Sequence, residues 1–175
     1  MQPSISLTQI TGWSLLLAWL GMCVACDLRS RQVPARLTVP PLVLAAVWQL
    51  FQGGWQMVLL VVGLVLISDL PASRWRIPLA GLAVILALSV SRAGELVYAQ
   101  LVIFAVWAMW EVGATGGADA KIIITLVLLF ADGQLFIPIV LVGGVQGLVA
   151  LITRRKTIPY TVAITLGTAA WLWLH

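Results

Sequence analysis

The chain has 175 residues, of which 62% are hydrophobic and only 9% are charged, and its formal net charge at neutral pH is +4. The mean hydropathy is +1.08. In an ordinary soluble domain about a quarter of the residues are charged, so the 9% charged residues and the high hydropathy exclude that class. The basic residues lie between apolar runs and form no dense patch, which argues against a nucleic-acid partner.

Eight apolar segments follow one another along the chain, and we predict that each is a helix. They cover residues 8–26, 39–52, 55–70, 77–91, 95–112, 120–131, 135–153 and 158–174. Apolar and polar residues do not alternate in these segments as they do in barrel strands. The segments therefore predict one all-α polytopic membrane domain over residues 1–175. Segment 120–131 is short for a span of ~20 residues, so it is expected to be buried, to start in a cavity or to be re-entrant. Counts of six or seven spanning helices stay open.

The first segment is expected to be a retained helix, because no Lys or Arg precedes Arg29 as in a secretory signal. It contains the only two cysteines, Cys23 and Cys26. Two cysteines cannot build a disulfide framework or a four-ligand zinc site, so free thiols are expected. The polar residues 27–38 are expected to form the longest loop.

Basic residues assign an orientation in the membrane. With the loop after the first helix placed in the cytoplasm, only Arg92 falls outside, as the positive-inside rule requires. The nine basic residues that fall inside are Arg29, Arg31, Arg36, Arg74, Arg76, Lys121, Arg154, Arg155 and Lys156. Tryptophans near predicted helix ends agree with the same edges; they are Trp55, Trp75, Trp110, Trp171 and Trp173.

Two of the six acids, Asp27 and Asp119, each lie where an apolar segment meets a short polar turn, and both fall on the cytoplasmic side. An acid at a membrane edge is costly, which indicates a function. Two carboxyl groups brought close together tend to share one proton. The ionised group can then activate water while the protonated group polarises a peptide carbonyl. The pair predicts an aspartic protease that needs no metal and no cofactor.

Other catalytic arrangements are less well supported. His175 is the only histidine and the last residue, which argues against Ser-His and Cys-His mechanisms and against a metal site. Asp69 and Glu111 could replace one member of the pair, although roles at helix ends are favoured. Glu111 could also act on the second aspartate by like-charge repulsion. Glu95 and Asp132 fall on the opposite side.

The two aspartates are expected to differ in protonation. Asp119 is expected just before a helix that begins near Ala120, whose positive end favours a negative charge. Asp27 is expected at the negative end of the first helix. Our hypothesis is that Asp119 is the main base and Asp27 holds the proton, although strong coupling can blur this assignment. The preceding Gly116-Gly117 pair would allow close approach of a substrate backbone.

The segments around Asp27 and Asp119 resemble those of the type IV prepilin peptidases. These are membrane aspartic proteases whose second aspartate lies in a Gly-x-Gly-Asp-x-Lys signature. The resemblance is greatest to the short, Tad-pilus-type members. The family's first motif, Asp-x5-Ile-Pro-Asn, is matched by Asp27 through Val33 and Pro34, and Lys121 matches the signature lysine. Segment 158–164 looks like the family's last helix, which contains Ile-Pro-Tyr-Gly. Lys121 would either hold Asp119 ionised or reach lipid phosphate.

Three positions depart from the family pattern. Ala118 replaces the second signature glycine, Ala35 replaces the asparagine after Pro34, and Thr161 replaces a glycine. The chain also lacks a cytoplasmic insertion with two Cys-x-x-Cys pairs, so N-methylation is not expected. These departures put the substrate preference in question.

The resemblance implies an endopeptidase that removes the short basic leader of a prepilin or pseudopilin. Cleavage would occur at the cytoplasmic face of the plasma (inner) membrane of a prokaryote, in contact with membrane lipid. Two alternatives stay open. One is another intramembrane aspartic protease, although the Tyr-Asp and Pro-Ala-Leu segments typical of presenilin-like enzymes are missing. The other is a proton-coupled transporter, although no internal repeat is evident.

Overall fold

A computed structural model describes residues 7–71, 73–91, 94–153 and 159–174. These residues form eight α-helices and no strand, which confirms the all-helical prediction and the count of eight. The helices are α1 (Leu7–Ser30), α2 (Ala35–Phe51), α3 (Trp55–Ser68), α4 (Ser73–Val90), α5 (Gly94–Glu111), α6 (Gly117–Phe130), α7 (Phe136–Ile152) and α8 (Tyr160–Leu174).

The prediction of a loop over residues 27–38 is wrong, because α1 continues to Ser30 and α2 already begins at Ala35. The hydroxyl of Ser30 donates to the carbonyl of Cys26 at 2.9 Å, which closes the last turn of α1. Arg31 then adopts a left-handed conformation with φ of 53°, and its N–H donates to the carbonyl of Asp27 at 2.8 Å. This left-handed residue ends the helix, so Asp27 belongs to the last helical turn.

The chain divides into two compact units. The first unit contains α1, α7 and α8, and the second contains α2 to α6 over Ala35–Phe136. In the first unit α1 packs along α8. In the same unit α8 approaches the α7 backbone closely at Gly167, where an added Cβ would lie 2.6 Å from the N and Cα atoms of Ile139. The absence of a side chain at Gly167 therefore allows the two helices to approach this closely.

The second unit is built around α6. This helix packs against α2 and α5, and its residues Ala120 and Ile122 to Leu128 are buried. Burial all round is typical of a helix surrounded by other helices. Of the three alternatives left open for segment 120–131, the structure shows burial among its neighbours.

Large apolar side chains cover much of the surface. Every described helix except α6 exposes several of them, including Leu44 (68% exposed), Ile85 (63%) and Leu141 (65%). Of the described helices, the stretch Gln9–Ser30 of α1 is long and apolar enough to cross a membrane by length and composition. The apolar helices α2, α3, α7 and α8 are shorter.

Candidate active site

Asp27 lies in the last turn of α1 and is half-buried. Its Oδ2 atom accepts a hydrogen bond of 2.7 Å from the hydroxyl of Thr161. Thr161 is the second residue of α8 and is only 1% exposed. The first unit therefore holds this carboxylate between the end of α1 and the beginning of α8.

Two helix ends of opposite polarity meet at Asp27. The carboxyl end of α1 carries partial negative charge, whereas the amino end of α8 carries partial positive charge. The expectation that Asp27 holds the proton considered only α1. Because the amino end of α8 opposes the carboxyl end of α1, the two helix ends together do not assign the proton to Asp27.

Asp119 lies inside the first turn of α6, where it is the third helical residue and half-buried. The expected helix start near Ala120 is wrong, because Gly116 takes the N-cap position with φ of −69° and ψ of 144°. The N–H of Ala120 donates to the carbonyl of Gly116 at 3.0 Å and completes the first turn. Asp119 still lies at the positive end of the helix, as expected.

Each glycine before Asp119 makes room for a neighbouring group in the second unit. A Cβ added to Gly116 would lie 3.0 Å from Oδ2 of Asp119, and one added to Gly117 would lie 3.0 Å from Nε1 of Trp110. Ala118, which replaces the signature glycine, is half-buried. The glycines thus have a packing role that explains them without a substrate, and their contact with substrate backbone stays a prediction.

A cavity of about 260 Å³ lies beside the first turns of α6 in the second unit. Lys121 lines it together with Ser68 and Asp69, and the rest of the wall is mostly aliphatic and indole surface. Ser68 accepts a 2.9 Å hydrogen bond from the indole of Trp107, which is 2% exposed. Lys121 thus borders a mainly apolar cavity. The amino-acid sequence did not predict this location.

Two of the other acids have structural partners. Oε1 of Glu111 accepts a hydrogen bond of 2.6 Å from Nη1 of Arg76, so a cation lies beside the acid that could act on Asp119 by like-charge repulsion. Oδ1 of Asp132 accepts from the N–H of Gln134 at 2.7 Å and closes a turn. Glu111 therefore links α5 to α4, whereas Asp132 stabilises a local turn.

Asp69 is the acid that competes most directly with the predicted pair. It is the C-cap residue of α3, with φ of −79° and ψ of −6°, and it also lines the cavity beside Lys121. Its position fits the helix-end role that the sequence favoured. Its location at the cavity keeps it as a second candidate acid and makes it a useful control.

The motif residues Val33 and Pro34 lie in the short segment between α1 and α2 and are both half-buried. Cys23 and Cys26 are free thiols. Several residues used in the sequence argument lie outside the described part of the chain; they are Arg92, Arg154, Arg155, Lys156, Ile158 and His175. The side chain of Glu95 is likewise outside it.

Thr161 is the residue whose role sequence reasoning missed. It was noted only as a departure from a family glycine. A signal was present, because a buried hydroxyl at the start of an apolar helix needs a hydrogen-bond partner. The identity of the partner could not be read from the chain, since Asp27 is 134 residues away.

Comparisons with known protein families, with curated proteins and with solved structures found no match. The family interpretation therefore depends on the motif residues around Asp27, Asp119 and Thr161. The pairing of Asp27 in the first unit with Asp119 in the second stays a prediction.

Proposed function

We propose that this protein is a membrane aspartic endopeptidase of the prepilin-peptidase type. It removes the short basic leader of prepilin-like substrates at the cytoplasmic face of a prokaryotic plasma membrane and does not methylate the product. The main supporting observation is that both motif aspartates are half-buried on helix-terminal turns with closely packed surroundings. Glu111 is instead paired with Arg76, and Asp132 closes a local turn.

The proposed mechanism uses one water molecule and two carboxyl groups. The ionised carboxylate takes a proton from the water, whose oxygen attacks the carbonyl carbon of the scissile peptide. The protonated carboxyl donates its proton to the carbonyl oxygen, giving a neutral tetrahedral diol. The diol then collapses, the C–N bond breaks, and a proton passes to the leaving amine. Asp27 and Asp119 supply the two carboxyl groups. Which of them is the base and which is the acid stays open.

The proposal also requires a protein that crosses the membrane several times. The exposed apolar surface on seven of the eight described helices supports a lipid surrounding. Helices α2 to α8 have 14 to 18 residues, which corresponds to about 21 to 27 Å of helix. This is less than the ~30 Å hydrocarbon thickness, so we expect local thinning of the bilayer around the protein.

The topology can be tested by labelling single cysteines in a variant that lacks Cys23 and Cys26. Gln32 lies between α1 and α2, and Gln52 lies between α2 and α3. In inverted membrane vesicles a membrane-impermeant maleimide should label Gln32→Cys and spare Gln52→Cys. The opposite pattern, or equal labelling of both, would contradict the proposed orientation.

The activity can be tested with purified protein in detergent and a synthetic substrate that carries a basic leader and an apolar helix. Mass spectrometry should identify cleavage at the leader junction by the wild type and by Asp69→Asn. The variants Asp27→Asn and Asp119→Asn should lose cleavage while keeping helical circular dichroism. A folded wild type that leaves the substrate intact would overturn the proposal. An inactive but folded Asp69→Asn would move the catalytic role toward Asp69.

A further inference from the structure

Thr161 is a buried hydroxyl that contacts one of the two proposed catalytic groups. Its Oγ1 atom donates to Oδ2 of Asp27 at 2.7 Å and it is 1% exposed. Both residues belong to the first unit, on α8 and α1. The short distance is typical of a hydrogen bond between a hydroxyl and a carboxyl oxygen.

Other buried threonines in apolar helices use their hydroxyl groups differently. Thr168 on α8 donates to the carbonyl of Ile164 at 2.8 Å, and Thr125 on α6 donates to the carbonyl of Lys121 at 2.7 Å. Each hydroxyl is thus satisfied within its own helix, four residues earlier. Thr161 is the second residue of α8, so no preceding helical turn is available to it. Its hydroxyl instead contacts another helix.

We infer that Thr161 is a positioning residue that orients the carboxyl group of Asp27 for the reaction. This inference rests on the proposed function. A threonine hydroxyl has one hydrogen to donate, and here it goes to Oδ2. Oδ1 does not contact Thr161. We assign to Oδ1 the reactive role, in which it either accepts the proton of water or carries the transferable proton.

The benefit of this contact is orientation. The terminal torsion of an aspartate is broad and roughly two-fold, so without a partner its two oxygens exchange places readily. A fixed carboxyl keeps the reactive oxygen aimed at one point, and small displacements of reacting groups lower rates steeply. The sequence departure from glycine to Thr161 therefore adds a hydrogen-bond donor at the site.

The kinetic test compares Thr161→Val, which keeps the shape and removes the hydroxyl, with Thr161→Ser, which keeps the hydroxyl. We expect Thr161→Val to lower kcat for leader cleavage about tenfold or more with little change in KM. Thr161→Ser should restore most of the rate. The matched control is Thr168→Val on the same helix, which should leave kcat within about twofold because its hydroxyl bonds only to α8 itself.

A second test does not require cleavage. Infrared spectra of protein with ¹³C-labelled aspartate, compared with Asp27→Asn, isolate the carboxyl bands of Asp27. These bands should shift in Thr161→Val and stay at the wild-type position in Thr161→Ser. A wild type that cleaves nothing would overturn the proposed function. The infrared comparison would still test the hydrogen bond between Thr161 and Asp27. Unshifted bands in folded Thr161→Val, or an unchanged kcat, would overturn the role of Thr161.

Discussion

Replacing Gly167 by alanine should destabilise the first unit. An added Cβ would lie 2.6 Å from the N and Cα atoms of Ile139 and 2.9 Å from its Cγ1 atom. The first two are backbone atoms of a neighbouring helix, so a side-chain rotation cannot relieve the clash. Helices α7 and α8 would have to move apart by several tenths of an ångström.

The expected effect follows from two opposing contributions. Overpacking a tight contact costs about 1 to 3 kcal/mol, and a clash with backbone belongs at the upper end. Alanine in a helix interior is more favourable than glycine by about 1 kcal/mol. The net loss for Gly167→Ala is therefore about 2 kcal/mol in the free energy of unfolding. Gly144→Ala on α7 is the matched control, because no atom lies within 4 Å of its added Cβ.

Reversible unfolding in mixed micelles, followed by far-ultraviolet circular dichroism, measures both variants under the same conditions. Gly144→Ala should be as stable as the wild type or slightly more stable, since only helix propensity changes. Gly167→Ala should unfold at clearly lower denaturant. Equal stability of the two variants would refute the close approach of α8 to Ile139 on which the reasoning depends.

Two further changes separate the site from its structural support. Gly116→Ala should lower kcat about tenfold with little loss of stability, because its Cβ would lie 3.0 Å from Oδ2 of Asp119 and would displace that side-chain carboxyl group. Gly94→Ala, with no atom within 4 Å of its added Cβ, should keep its activity, and equal kcat for the two variants would contradict this expectation. Glu111→Gln should lower the free energy of unfolding by about 1 kcal/mol, because it weakens a partly buried ion pair with Arg76, and cleavage by the folded protein should be unchanged. A large loss of activity in Glu111→Gln would indicate that this acid takes part in the reaction.

The sequence predicted the number and order of the helices because each is a separate apolar segment. The number and order depend on local composition, which hydrophobic runs report directly. The short α6 segment left burial, a start in a cavity and a re-entrant course open, and the structure shows burial. Helix ends were predicted less well. The start of α6 was placed three residues late, since Gly116-Gly117-Ala118 has the composition of a turn although it forms the cap and first helical turn.

The contacts that define the surroundings of the site could not be predicted. Thr161 and Asp27 are 134 residues apart, and Arg76 and Glu111 are 35 apart. Such pairs depend on which helix faces pack together, and the nearly uniform apolar helices carry little periodic signal about their faces. The partial negative end of α1 was read from the sequence, whereas the amino end of α8 beside Asp27 became known only from the tertiary structure.

The central claim is that Asp27 and Asp119 act as one catalytic pair, and a double-mutant cycle on leader cleavage tests it most directly. The rates of Asp27→Asn, Asp119→Asn and the double variant would be measured by mass spectrometry, with circular dichroism to verify folding. If the two carboxyl groups act as a unit, each single change should abolish nearly all cleavage and the double variant should be no slower than either. Substantial cleavage by either folded single variant, or independent losses that multiply in the double variant, would contradict the account.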